Sequence, residues 1–165
     1  MDSQNLEFIQ LVEGHSRMIF KIAGAYTKTT SDREDLIAET VLQLWRSSGS
    51  FKGNCKTSTW VYRVALNTAM NFKRKQRSET LFLPTDFSDG HQFKYLIEAE
   101  QTPELDILYQ CIDELDEINK AIILLYLDGN QHEEIAEIVG ISKTNVGTRI
   151  GRIKEQLKKS ATSKI

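Results

Sequence analysis

The stretch that leaves this chain least freedom is IAEIVGISKTNVGTRIGRIK, residues 135 to 154. Ile135, Ala136 and Val139 recur at helical spacing behind a polar start, where Asn130 and Glu133 can cap a helix. Gly140 offers the left-handed conformation that ends that helix, and Ser142 offers a side-chain oxygen to start the next. Small Ala136, the glycine four residues on, and apolar Ile141 and Val146 expected in the core predict two helices that cross closely at a sharp turn. An ordinary helical hairpin would satisfy the same spacing.

The second helix is predicted over residues 142–159. Val146, Ile150, Ile153 and Leu157 fall within about 60° of one another on its wheel and form the core stripe. Thr144, Thr148, Gly151 and Arg152 lie roughly opposite, with Lys143, Gly147 and Arg149 on the flanks. Each interior glycine costs such a helix about 1 kcal/mol against alanine. Either the glycines let the groove of a duplex come close, with Lys and Arg reaching phosphates or guanine edges, or they relieve crowding against a neighbouring helix.

The rest of the chain is also helical in pattern. Apolar positions recur over residues 6–27. SDRE at 31–34 has the form of a capping box, in which Ser31 and Glu34 open a helix running to about Arg46. SSGSFKGN breaks it, and a further helix is expected from about Thr59 to Arg77. Residues 78–102 mix Pro, Gly, Asp and Ser without period and read as a linker. Thr102-Pro103 then starts a helix, and helices are expected at about 103–115, 117–127 and 131–139. No strand alternation and no internal repeat is present. The expected fold is all-α, with two small helical domains, 1–77 and 103–165, on a flexible acidic tether.

With 165 residues, 40% of them apolar, each domain can fill a modest core. The longest apolar run, AIILLYL at 121–127, is far short of the ~20 residues that span a bilayer. The N-terminus has no basic start followed by an apolar stretch, so no secretory signal is expected. Cys55 and Cys111 share no metal-ligand spacing, and two reduced thiols in a cytoplasmic protein are the expectation. His15, His91 and His132 sit in separate segments, and no phosphate-cradling glycine loop is present. No catalysis, metal or cofactor is therefore expected.

Net charge is only −2, but it is segregated. Residues 60–77 hold five basic residues and no acid, residues 78–118 hold eleven acids against Lys94 alone, and residues 139–165 hold seven basic residues against Glu155. Two basic patches separated by an acidic stretch suggest two polyanion contacts.

On the 59–77 helix, Val61, Ala65, Thr68, Ala69 and Phe72 share one side. Trp60, Arg63, Asn67, Met70, Asn71 and Arg74 share the other. A ring, amides and cations on one face suit unpaired DNA; a solvated basic helix end with a partly buried Trp60 is the plainer alternative. In the preceding loop Phe51, Lys52, Gly53 and Asn54 could hold a flipped base. The 34–46 helix is expected to bury Ile37, Val41, Leu44 and Trp45. Its other side shows Asp35, Glu39, Gln43 and Arg46 with Leu42 among them; one exposed leucine is ordinary, but bordered by carboxylates it also suits the centre of a protein contact.

Taken together, DREDLIAETVLQLW, SFKGNCKTSTWVYRVALNTAMNFKRKQR and YLDGNQHEEIAEIVGISKTNVGTRIGRIKEQLKK resemble, in order and spacing, the sigma factors of bacterial RNA polymerase, in particular the extracytoplasmic-function group. The resemblance implies a non-enzymatic protein that works with core polymerase, through the beta-prime clamp and the beta flap, on promoter DNA. It implies that Asp35, Glu39, Leu42 and Gln43 face beta-prime. Trp60, Arg63, Asn67, Asn71 and Arg74, with Phe51 to Asn54, would meet the melted −10 strand. Lys143, Thr144, Asn145, Thr148, Arg149 and Arg152 would meet the −35 duplex, and an anti-sigma protein would be a further partner. Many relatives carry an acid where this chain has Asn71 and a cation where it has Gly147. A stand-alone helix-turn-helix regulator is the alternative; it would leave the first 77 residues without a role.

Overall fold

The computed structural model describes residues 2–80 and 102–165. The chain divides into two compact units, Met1–Ile97 and Glu98–Ile165. Among the described residues the elements are helices throughout, apart from one short 3-10 turn at Ser48–Ser50. The first unit contains α1 (Ser3–Gly14), α2 (Ser16–Tyr26), α3 (Thr30–Ser47) and α4 (Thr57–Thr80). The second contains α5 (Pro103–Asp113), α6 (Glu117–Leu127), α7 (His132–Val139) and α8 (Lys143–Lys164).

The period over residues 6–27 resolves into two helices rather than one. His15 leaves helical geometry at φ −119° and ψ 13°, and its ring nitrogen Nδ1 lies 2.8 Å from the Leu11 carbonyl. The Ser16 hydroxyl donates to the Glu13 carbonyl at 3.0 Å. These local bonds satisfy carbonyls that a continuing helix would have paired, which ends α1. The α3 start also differs from expectation. Thr29, not Ser31, is the cap, accepting the Asp32 amide at 3.1 Å, and Ser31 sits within the first turn.

Ile19, Leu44, Trp60 and Val61 form the core of the first unit, with Phe8, Leu11, Met18 and Phe51 packed against them. Ala65 and Ala69 are fully covered on α4, small residues that let α2 and α3 approach its backbone. Leu44 is buried as expected, and Ile37 and Val41 are half-buried. Trp45 is not buried. It is 46% exposed and meets Phe8 edge to face, with ring centroids 4.9 Å apart.

In the second unit Ile112, Ile122, Leu125, Ile135, Val146, Ile150 and Ile153 are almost fully covered. Thr102 caps α5 through the Leu105 amide at 3.3 Å, with Pro103 in the first turn. At α7 the cap falls one residue later than expected. Gln131 is the cap, and the Glu134 carboxylate accepts its amide at 3.1 Å. Asn130 instead closes the turn, its side-chain amide donating to the Leu125 carbonyl at 2.9 Å.

Both long helices outrun their expected ends. Residues 78–80 form the last turn of α4, and residues 81–101 of the expected linker lie outside the described residues. α8 continues to Lys164 because Glu114, at the end of α5, holds its last turns. The Glu114 carboxylate accepts the Ser160 hydroxyl at 2.9 Å and pairs with Lys164 at 2.6 Å.

Candidate nucleic-acid interface

The turn between α7 and α8 has the geometry its residues call for. Gly140 takes φ +81° and ψ 34°, and Ser142 accepts the Asn145 amide at 3.1 Å. Ile141 is half-buried, whereas Val146 is fully covered. Ile150 and Ile153 continue the covered stripe, with Leu157 half-buried below them. α8 therefore presents Lys143, Thr144, Asn145, Thr148, Gly151 and Arg152 outward, all exposed, with Arg149 half-buried at the edge.

Crowding does not account for the two glycines. A Cβ on Gly151 would meet nothing within 4 Å, and one on Gly147 would only touch the His132 ring at 3.7 Å, an ordinary contact. The free fold thus forgoes roughly 1 kcal/mol at each position without a packing return. A shallow groove of about 610 Å³ runs along this side from Gly147 past Gly151 and Arg152 to Lys159.

Two cations on this surface are held differently. Lys143 pairs with the Glu133 carboxylate of α7, both side chains remaining well exposed. The Lys143 bond holds the Glu133 carboxyl below the usual carboxylate range, with smaller help from a backbone bond. Arg149 meets two amides among the described residues. Its Nε donates to Asn145 Oδ1 and its Nη1 to Asn119 Oδ1, each at 3.2 Å.

In the first unit, Asn67, Asn71 and Arg74 are exposed on α4 as expected, and Arg63 is half-buried. They do not share an open face with Trp60. Trp60 is only 9% exposed, because the loop before α4 folds back and lays Phe51 on its ring, 4.8 Å between centroids and 19° from parallel. The helical wheel sets Trp60 opposite Val61, but the two share one core cluster with Ile19 and Leu44, and the loop ring of Phe51 closes over the indole. Lys52, Gly53 and Asn54 stay exposed, with Gly53 at φ +72°. Phe8, Trp45, Phe51 and Trp60 line an open hollow of about 670 Å³ beside this loop.

The structure also joins two residue sets that the sequence kept apart. Asp35, Glu39, Leu42 and Gln43 of α3 and Asn67, Asn71 and Arg74 of α4 line opposite walls of one groove of about 920 Å³. Leu42 is 39% exposed on its wall, and Gln43 donates to Glu39 at 2.8 Å. Lys75, one of the five basic residues of 60–77, also lines this groove. Asn119, 30 residues from Arg149, carried no sequence signal at all.

The sigma-70 region 2 family matches residues 11–79, and the sigma-70 region 4 family matches residues 105–157. The chain is 30% identical over 161 residues to the ECF RNA polymerase sigma-E factor of Salmonella typhimurium, covering 91% of this chain and 84% of that one. The chain belongs to the extracytoplasmic-function sigma factors of RNA polymerase. The sigma-E factor of Haemophilus influenzae is similar, 29% identical over 86% of this chain and 82% of its own. The fold is shared with the sigma factor RpoE of Bartonella quintana, solved in complex with the anti-sigma factor NepR. That likeness has a TM-score of 0.68 at 18% identity and covers 98% of each chain.

As an alternative sigma factor the protein directs transcription, and sigma factors are not an enzyme class. Among its described residues no helix is long and apolar enough to cross a membrane.

Proposed function

We propose that this sigma factor divides promoter recognition between its two units. Residues 1–77 carry the polymerase and −10 contacts, and residues 103–165 read the −35 element. α8 enters the major groove with Thr144, Asn145, Thr148, Arg149 and Arg152 toward base edges and phosphates, and Lys143 at its N-terminal end. Asn67, Asn71 and Arg74, with Arg63 and the 52–54 loop, hold the melted −10 strand. Asp35, Glu39, Leu42 and Gln43 meet the beta-prime clamp.

Trp60 serves the strand differently from a free stacking platform. It backs Phe51, and Phe51 is the ring nearest an incoming base. Unstacking a base costs a few kcal/mol, and stacking on an aromatic side chain returns about 1–3 kcal/mol. Opening is then balanced closely enough to depend on single contacts.

The observation that carries the −35 assignment is Gly151, exposed between Thr148 and Arg152 with open space where a side chain would stand. Its helix cost is offset only when something approaches the backbone there, and a duplex groove does so. Core RNA polymerase and promoter DNA are the partners, an anti-sigma protein holds the factor in reserve, and the site of action is the cytoplasm. A mobility shift on a promoter duplex, with and without core polymerase, tests the reading. A tight, promoter-specific complex is expected only with the core enzyme; equally tight binding by the chain alone would overturn it.

A further inference from the structure

We infer that Asn119, on α6, is a positioning residue for promoter recognition, which locks the Arg149 guanidinium at the edge of the α8 face through a relay that begins at Asp116. The inference rests on the reading of α8 as the −35 helix.

Asp116 is the N-cap of α6. One of its carboxylate oxygens, Oδ1, accepts the Asn119 backbone amide at 2.8 Å, and the other, Oδ2, accepts the Asn119 side-chain Nδ2 at 2.8 Å. A carboxylate can only accept, so it selects the NH2 end of the Asn119 amide and turns the carbonyl end away. That carbonyl, Oδ1, accepts Arg149 Nη1 at 3.2 Å. Asn145, one turn earlier on α8, accepts Arg149 Nε at 3.2 Å.

Two points make this relay more than packing. First, a guanidinium has five N–H donors in a planar fork, and the two bonds to Asn119 and Asn145 fix that plane while leaving three donors for a ligand. Asn145, Arg149 and Arg152 are spaced four and three apart, which puts them on one side of the helix. Arg149 therefore stands beside the exposed Asn145 and Arg152. Second, both partners are neutral amides. They orient the cation without cancelling its charge, whereas Lys143 is held by the Glu133 carboxylate that a phosphate would have to displace. Arg149 is thus preorganised, by neutral partners, for an anion or a guanine edge.

The test uses the full chain bound to core polymerase on a duplex carrying its −35 element, with association followed across a salt series. Asn119→Ala keeps the backbone amide that Asp116 caps, and Asn119→Leu keeps the side-chain shape without the acceptor. Each is expected to weaken association roughly 3- to 10-fold, as ordering a loose side chain on binding would. The salt slope should stay unchanged, because the charge remains. Arg149→Ala should weaken association and also flatten the slope by about 0.9, one phosphate contact. In the Arg149→Ala background, Asn119→Ala should add nothing.

Wild-type affinity in both Asn119 variants, or an undiminished Asn119→Ala loss on top of Arg149→Ala, would overturn the inference and leave the −35 reading standing. An Arg149→Ala protein that binds like the parent would refute the duplex role of Arg149, and the relay's purpose with it.

Discussion

Phe51 lies nearly parallel on Trp60, with 4.8 Å between their ring centroids. The pair makes an aromatic of α4 part of the core and leaves its half-buried partner in the preceding loop. The two rings should therefore answer mutation differently. Trp60→Ala is expected to cost about 3–5 kcal/mol of stability, the usual loss for a buried large aromatic. Phe51→Ala should cost less and chiefly slow promoter opening. Urea unfolding read beside permanganate footprinting of the melted strand checks both; a Trp60→Ala protein of normal stability would show that the stack is not structural.

Gly151→Ala should raise the stability of the second unit by about 1 kcal/mol, since nothing stands within 4 Å of the added methyl. The same change should weaken −35 binding by narrowing the approach to the α8 backbone. Thermal melts and promoter affinity, measured on one preparation, test the two halves together. Greater stability with unchanged affinity would remove the groove explanation for the glycine.

Glu133 holds Lys143 at the exposed N-terminal end of α8. Glu133→Gln removes a charge that repels phosphate and frees the ammonium, so holoenzyme should bind a −35 duplex several-fold more tightly, most clearly at low salt. Competition binding at two salt concentrations reads this directly. Weaker binding would mean that Glu133 orients Lys143 rather than occupying it.

The clasp on the end of α8 should weaken toward both extremes of pH. The Lys164 bond, then the Ser160 bond, lowers the Glu114 pKa, and the Glu114 bond raises that of Lys164. A lowered carboxylate contributes above its ordinary range, and that contribution is lost as pH falls through the folded value. A raised ammonium contributes below its ordinary range, and that contribution is lost as pH rises through the folded value. The last turns of α8 should accordingly be most protected from amide exchange near neutrality and fray toward both extremes. Glu114→Gln should flatten that dependence over residues 158–164, and an unaltered exchange profile would discount the clasp.

How much of this was legible in the sequence depended on the distance over which each signal acts. The Gly140 turn and the Ser142 cap were readable because the residues that decide them are neighbours. The caps fall at Thr29 and Gln131 rather than at Ser31 and Asn130, because TKTTSD and NQHEE each offer several capable side chains and tertiary packing chooses among them. Trp60 and Trp45 were misjudged for the opposite reason. A helical wheel sees only its own helix, and here neighbouring helices and the loop ring of Phe51 enclose the Trp60 indole while that of Trp45 stays at the rim. Contacts such as Asn119 with Arg149 exist only once α6 and α8 are packed, so no local pattern announces them.

The central claim is that the chain selects start sites through two separate DNA contacts made in partnership with polymerase. Run-off transcription with purified chain and core enzyme, on a promoter selected from a random library, measures this most directly. The account predicts initiation at one defined position, lost when either the −35 or the −10 element is scrambled and absent without the chain. Transcripts independent of both elements, or none from any template, would contradict it.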